Sequence, residues 1–387
     1  MAGLFQVFFW LSRDNLVTLN ENSFEKIESL SYSPFEGYDK NLLSSEQIAY
    51  DVNLFENFTN KLRTYGTLEA YKILQSSKDS NLPIDLGLWI GGDLEANNLE
   101  IQRALEILKE YPNRIQSVIV GNEVLLRKEL EPLELYAYID FMKSHTKKPV
   151  TTAETWDIWE KNPQLASHVD FLTIHILPYW EKVPIERYNE FIIEKYSVVE
   201  ELFPNRKIVI GETGWPSHGY NNNSAIPSIK NQAQAIRGFV NLAHEKGWHY
   251  NIIEALDQPW KGYDEGNVGQ YWGIFTTDRA LKFQLAGEVE LNKYWLYQMI
   301  AAIIIGALLT LFGLKNQRVN ISHAFAYAIA AQGMAFGIVM AAIYPFVNYM
   351  NFGMWIMWGM GSFLMIPLVI ITLAKANELF RSSIGVQ

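Results

Sequence analysis

Two glutamates in this sequence occupy positions where acid–base chemistry is feasible. Glu123 follows the apolar run 116–120, and Glu212 follows the run 207–210, each after Gly or Gly-Asn. An isolated glutamate among 42 acidic residues is usually a solvated or salt-bridged carboxylate. These two are flanked by Gly or Asn at the end of an apolar segment, whereas a solvated helical glutamate sits among Lys and Leu. We therefore interpret them as a catalytic pair.

Two facing carboxylates can cleave a glycosidic bond. One carboxyl group protonates the leaving oxygen. When the two carboxyl groups are about 5–5.5 Å apart, the other attacks the anomeric carbon directly, and the anomeric configuration is retained. Two acids this close resist joint ionisation, which predicts a raised pKa for the acid, Glu123. Asn122 is placed to bond a sugar hydroxyl, and Tyr179, Trp215 and Trp260 offer flat faces for sugar rings.

The elements that must position this pair are short apolar runs that alternate with amphipathic stretches, a pattern typical of parallel βαβ units. Eight candidate strands in about 250 residues predict an α/β fold, a (β/α)₈ barrel with a doubly wound sheet as the alternative. The candidate strands are 29–33, 61–65, 85–90, 116–120, 150–152, 171–175, 207–210 and 251–255.

In such a barrel the chemistry lies beyond the carboxyl ends of the strands. Glu123 and Glu212 are 89 positions apart in the chain. Three βα units of about 30 residues separate strands four and seven, which face each other across the mouth. The two carboxylates are therefore expected to flank one bond.

Five segments carry a more specific signal. Together they resemble glycoside hydrolase family 17, the β-1,3-glucanase family, over about residues 30–280, and GETGWPS is their most distinctive part. The segments are LRTYG (62–66), VIVGNEVLLR (118–127), IVIGETGWPSHG (208–219), EALDQPWKG (254–262) and YWGIF (271–275).

The resemblance implies a (β/α)₈ barrel, retaining chemistry and β-1,3-linked glucans as substrates. It makes Glu123 the acid/base and Glu212 the nucleophile, and it places Arg63, Tyr65 and Glu254 in the wall near the cleavage point. Tyr32, in the first candidate strand, joins the predicted substrate-binding set.

The sequence departs from the family pattern in the sixth strand. His175 and Leu177 stand where the family usually has Asn and Tyr, and Gln258 stands where an acidic residue is common. The short loops and YWGIF resemble the bacterial, membrane-linked branch of the family.

Composition excludes several other function classes. The net charge of −10 disfavours nucleic acid as a partner, and the absence of cysteine rules out thiolate metal sites and a cysteine nucleophile. The sequence contains neither a P-loop nor a dinucleotide-binding G-x-G-x-x-G after the first strand. We predict neither a cofactor nor a metal.

Three apolar runs near 295–314, 324–346 and 352–374 are each long enough to cross about 30 Å of hydrocarbon as a helix, and none contains a charged residue. The sequence thus predicts a barrel over 29–290 and a membrane anchor over 291–387. The bilayer is an expected partner.

Basic residues predict the orientation of this anchor. Lys315 and Arg318 fall in the first loop and Lys375 and Arg381 follow the third span, which places that loop and the C-terminus in the cytoplasm. The barrel would then lie outside the cytoplasmic membrane. Residues 1–28, with the apolar run LFQVFFWL, would hold a weak export signal.

Three hypotheses remain open at this stage, and the first, cleavage of β-1,3-glucan through a covalent intermediate, has two outcomes. Water acting on the covalent intermediate gives hydrolysis. A sugar hydroxyl acting on it gives elongation, branching or cyclisation. Such transfer would serve glucan assembly, with a glucan synthase as a possible partner. A non-catalytic membrane subunit that binds glucan is the alternative of another class. A different retaining glycosidase family is a weaker one, because fold alone does not fix function.

Overall fold

The computed structural model describes residues 2–11, 16–19, 26–292, 294–315 and 319–347, with isolated helical residues between 358 and 378. The chain forms two compact units. One comprises residues 19–287, and the other joins residues 1–18 to residues 288–387.

A closed barrel of eight parallel strands forms the core of the larger unit, so the predicted (β/α)₈ fold is confirmed. The strands are β1 (Leu30–Ser31), β2 (Leu62–Arg63), β3 (Ile84–Leu88), β4 (Ile115–Asn122), β5 (Val150–Thr155), β6 (Leu172–His175), β7 (Ile208–Thr213) and β8 (His249–Ile252).

Each strand pairs with its neighbours in chain order, and Leu30 of β1 closes the ring by pairing with Ile252 on one side and Leu62 on the other. The register shifts beside the predicted catalytic residues, between Ile119 and Asn122 in β4 and between Ile210 and Glu212 in β7. These irregularities lie at the carboxyl ends of the two strands, where regular pairing with the neighbouring strand ends.

Seven helices connect the strands and cover the barrel. They are α1 (Ser45–Phe55), α2 (Thr67–Ser76), α3 (Leu94–Glu110), α4 (Pro132–His145), α5 (Trp156–Lys161), α6 (Tyr188–Leu202) and α7 (Ile229–Lys246). Short 3₁₀ turns lie at Pro163–Ser167, Ile185–Arg187, Pro259–Gly262 and Asn267–Tyr271, and a small antiparallel ribbon pairs Phe35–Glu36 with Asn41–Leu42.

Local sequence explains where these helices begin and end. Ser228 caps α7 by accepting from Asn231 N, and Gly247 ends the helix with a φ of 64° that glycine adopts without strain. The buried stripe of α7 includes Ala233, Ile236 and Val240, as its helical spacing predicts.

Among its described residues, the smaller unit includes three helices and a ribbon. Strand Leu16–Thr18 pairs antiparallel with strand Glu288–Glu290, and helix Ala2–Leu11 packs on helices Trp295–Leu314 and Ile321–Val347. The amide of Gln6 donates to the main-chain oxygen of Gln332 at 2.5 Å. The segment interpreted as an export signal is thus an element of this unit.

Two helices of the described chain are long and apolar enough to cross a membrane, Trp295–Leu314 and Ile321–Ile343 within the longer helix. They coincide with the first two predicted spans. The third, near 352–374, lies mostly outside the described residues.

Candidate active site

Glu123 sits on the turn that ends β4. Its backbone takes a left-handed φ of 53°, and its N–H donates to Ala153 O at 2.7 Å. The carboxylate of Glu154 on β5 accepts from the N–H groups of Leu125 and Leu126, which fixes the chain after Glu123. The turn thereby directs Glu123 toward the mouth of the barrel.

Glu212 lies near the carboxyl end of β7, beside the guanidinium of Arg63 from β2. Arg63 Nη1 is 3.4 Å from Glu212 Oε1 and donates to Gly211 O at 2.6 Å, and Nη2 donates to Asn122 Oδ1 at 2.6 Å. The Arg63 side chain is 2% exposed. Arg63 therefore joins the ends of β2, β4 and β7.

His175, at the end of β6, connects the two glutamates. Its Nδ1 is 2.7 Å from Glu123 Oε1, its Nε2 is 3.7 Å from Glu212 Oε1, and the side chain is fully buried. Arg63 Nη1 lies 3.3 Å from Nε2. Sequence reasoning noted His175 as a departure from the family pattern and left it out of the site.

The carboxylate oxygens of Glu123 and Glu212 and a ring nitrogen of His175 all lie within 4.8 Å of one another. Such a group has the spacing of metal ligands. A metal ion bound at this group would be repelled by the positive charge of Arg63, which lies beside Glu212 and His175. The two carboxylates also already have ionic and hydrogen-bonded partners.

The expected rise in the pKa of Glu123 is wrong. Burial favours the neutral acid, but the hydrogen bond from His175 and the positive charges of Arg63 and Arg127 act against burial, and the pKa of Glu123 lies below its usual range. A second carboxylate alone would raise this pKa, whereas the N–H of His175 and the two guanidinium groups lower it.

Two cavities meet at the glutamates, and Glu123, Glu212, Ile253 and Glu265 line both. The larger, of about 500 Å³, is also lined by Tyr65, Asn122 and Trp260 of the predicted set. The smaller, of about 280 Å³, lies on the side of His175. The predicted pair thus stands at the junction of an elongated cleft, suited to a chain that continues on both sides of a bond.

The aromatic residues of the cleft differ in part from the predicted ones. Trp260 lines the larger cavity, as predicted, and Trp89 and Phe35 join it there. In the smaller cavity Trp180 and Trp272 stack, with ring centroids 5.9 Å apart, beside Trp156. The predicted Tyr179 directly precedes Trp180 in the chain and does not line this cavity.

Besides the buried Arg63, three predicted binding residues belong to the core and line neither cavity. Tyr179 and Trp215 are fully buried with edge-to-face rings, and their polar atoms bond the backbone of Tyr220 and Ile226. Tyr32 is buried and donates to Asp51. Each is a correction, because a side chain whose ring is enclosed by protein cannot stack on a sugar.

Glu254 is likewise buried beneath the larger cavity and does not line it. Lys261 Nζ bonds it at 2.9 Å and itself lines the cavity. Burial raises the pKa of Glu254 to about 7 against the effect of Lys261. Glu254 thus acts on the cleft through Lys261. Neither Lys261 nor Glu265 is among the residues predicted from the sequence.

A closed parallel barrel with a carboxylate pair at the carboxyl ends of β4 and β7 defines a glycosidase-type site. The sequence model of the BtgE/BtgC glycoside hydrolase domain matches residues 29–273, and the chain belongs to this family. The resemblance to glycoside hydrolase family 17 is thereby confirmed.

Relatives of known name agree. The chain is 27% identical over 255 residues to a glucan 1,3-beta-glucosidase of Schizosaccharomyces pombe, covering 61% of this chain and 79% of that one. It is 28% identical over 276 residues to a putative glucan endo-1,3-beta-glucosidase of Aspergillus niger, covering 62% and 40%.

Among solved structures, a family 17 beta-1,3-glucanosyltransferase from Rhizomucor miehei matches with a TM-score of 0.61 and 25% identity, over 67% of this chain and 97% of that one. An active-site mutant of the Rhizomucor miehei enzyme in complex with laminaritriose matches with a TM-score of 0.60.

Proposed function

We propose that this chain is a retaining enzyme that cleaves β-1,3-glucan through a covalent glycosyl-enzyme, with Glu212 as nucleophile and Glu123 as acid/base. The observation that carries the proposal is the approach of the two carboxylates, whose oxygens come within 4.8 Å at the junction of the two cavities. Retaining enzymes hold their two carboxyl groups about 5–5.5 Å apart, too close for a water molecule between them.

In the first half-reaction Glu212 attacks the anomeric carbon while Glu123 gives its proton to the leaving oxygen. A sugar that fills the cleft displaces the water around Glu123, which strengthens the burial effect and favours the protonated acid. Arg63 lies 3.4 Å from Glu212 and keeps that carboxylate oriented.

In the second half-reaction Glu123 takes a proton from the incoming hydroxyl, which attacks the anomeric carbon and releases Glu212. The lowered pKa of Glu123 suits this step, because the residue must then be ionised to act as a base.

Glucanosyl transfer is the second candidate outcome, and the smaller cavity favours it. Trp180 and Trp156 provide apolar faces on the side of His175, and the buried Trp272 stacks against Trp180. Aromatic faces bind sugar rings through their apolar surfaces. A sugar held there would displace water and present its hydroxyl to the intermediate.

We also propose that the barrel acts at the outer face of a cytoplasmic membrane, anchored by the apolar helices with the C-terminus inside. The two apolar helices and the basic residues of the first loop and the C-terminal end support this placement. A glucan synthase that delivers nascent chain is the partner this arrangement would serve.

The test uses the full chain in detergent micelles with laminaripentaose, and it follows products by mass spectrometry and their anomeric form by NMR. Glu212→Ala is expected to lower turnover roughly a thousandfold or more, and Glu123→Ala by about 10²–10⁴-fold. An aryl β-laminaribioside whose leaving group needs no proton should restore glycosyl-enzyme formation only in Glu123→Ala.

The matched control is Glu106→Ala, an exposed glutamate on α3, which should leave turnover unchanged. Products longer than the substrate would identify transfer, and shorter sugars alone would identify hydrolysis. Binding of laminaripentaose without turnover would sink the enzymatic proposal and favour the glucan-binding role. First-formed α-anomers would contradict retention.

A further inference from the structure

Arg63, His175 and Glu123 form a chain of side chains that the two-glutamate mechanism leaves unused. Arg63 Nη1 lies 3.3 Å from His175 Nε2, and His175 Nδ1 lies 2.7 Å from Glu123 Oε1. The separation of Nε2 from Glu212 Oε1, 3.7 Å, is too long for a hydrogen bond. Arg63 is therefore the nearer partner of Nε2.

An arginine can only donate, so Nε2 must accept and the ring proton must be on Nδ1. The Nδ1–H then donates to Glu123 Oε1. Among the described residues no side chain bonds Glu123 Oε2. The proton that Glu123 gives and takes would accordingly be carried by Oε2, with Oε1 held by the imidazole.

We infer that His175 is a positioning residue for the proposed acid/base: Arg63 fixes its tautomer, and its Nδ1–H holds Glu123 Oε1, orients the carboxyl group and favours its ionised form. This inference depends on the roles proposed for Glu123 and Glu212. It adds a third residue, which touches the acid/base and not the substrate bond.

The other charged groups around Glu123 lie on elements that do not carry His175. They come from β2, the turn after β4, β5, β7 and the segment after β8. These groups are Arg63, Arg127, Glu154, Glu212 and Glu265.

The experiment measures kcat/KM for laminaripentaose against pH with the full chain in detergent. Cleavage needs protonated Glu123, so kcat/KM falls as pH rises through the pKa of that residue. His175→Leu removes the N–H that stabilises the carboxylate. The basic limb should move up by roughly one pH unit, and kcat should fall more than KM changes.

Two substitutions that introduce amide side chains of different length refine the test. His175→Asn places an N–H near the Nδ1 position and should keep the limb close to that of the wild type. His175→Gln carries its N–H to the Nε2 position and should behave like His175→Leu. If His175→Leu cannot be purified folded, this pair of amides decides.

His168→Leu is the matched control, since His168 Nδ1 also pairs with a carboxylate, Asp140 at 2.9 Å, and it lines neither cavity. The basic limb of the pH profile of this variant should coincide with that of the wild type. If the basic limbs of all His175 variants coincide with that of the wild type, and Glu212→Ala still abolishes activity, only the positioning role of His175 is overturned. Activity that survives Glu212→Ala would instead overturn the proposed function.

Discussion

At the scale of single residues, Glu154 shows how a buried carboxyl group supports the site. It is fully buried on β5 and accepts from the backbone of Leu125 and Leu126, behind Glu123. Burial raises the pKa of Glu154 to about 7, against the effect of those backbone donors. The folded chain therefore binds a proton there that the unfolded chain releases near pH 4.5.

This difference predicts a pH dependence of stability. Between about pH 4.5 and 7 the folded state holds more protons than the unfolded state at Glu154, so its contribution to stability falls as pH rises through that window. Glu154→Gln should remove this contribution. Thermal unfolding from pH 4.5 to 8 should show the variant gaining on the wild type with rising pH, by about 2 kcal/mol or less.

A constant difference between Glu154→Gln and the wild type across this range would contradict the prediction. Glu106→Gln, on the exposed face of α3, is the control and should show no pH-dependent difference.

At the scale of elements, β6 and β7 must approach closely to bring His175 toward Glu212. Gly211 makes this approach possible: a Cβ there would lie 2.3 Å from Thr173 Cγ2 and 3.1 Å from His175 Cδ2. The carbonyl of Gly211 also accepts from Arg63. A side chain at this position would therefore disturb both strands and the guanidinium between them.

We expect Gly211→Ala to destabilise the barrel by about 1–3 kcal/mol, the usual range for inserting a methyl group into a packed core. It should also lower kcat, because β6 carries His175 and β7 carries Glu212. Gly92→Ala is the control, since the nearest atom to a Cβ there, Glu129 O, is 3.5 Å away. Urea unfolding of both variants would check the prediction, and equal midpoints would contradict it.

The sequence was informative about elements and less so about side chains. Each of the eight strands lies within a few residues of its predicted run, because alternation of apolar runs and amphipathic helices is a local property. Whether Trp215 or Trp272 reaches the cleft depends on how loops pack over the barrel. His175 was missed for a similar reason, since it meets Glu123 across 52 positions of chain.

At the scale of the whole molecule, the proposed membrane orientation can be tested because the chain contains no cysteine. A single introduced cysteine then reports its own side of the membrane. Lys109→Cys, exposed on α3, should react with a membrane-impermeant maleimide in intact spheroplasts. Gln317→Cys, in the first predicted loop, should react only after permeabilisation.

The opposite labelling pattern would place the barrel in the cytoplasm and overturn the proposed localisation. The cysteine-free wild type controls for unspecific labelling.

The antiparallel ribbon of Leu16–Thr18 and Glu288–Glu290 has a further consequence for the barrel. The chain leaves the helical unit on one strand and returns to it on the other, so both ends of the barrel segment are attached at adjacent points. A protease that cuts one connection leaves the barrel held by the second. Release of the barrel from the smaller unit therefore requires two separate cleavages, and a single cut yields a two-chain protein whose barrel stays attached.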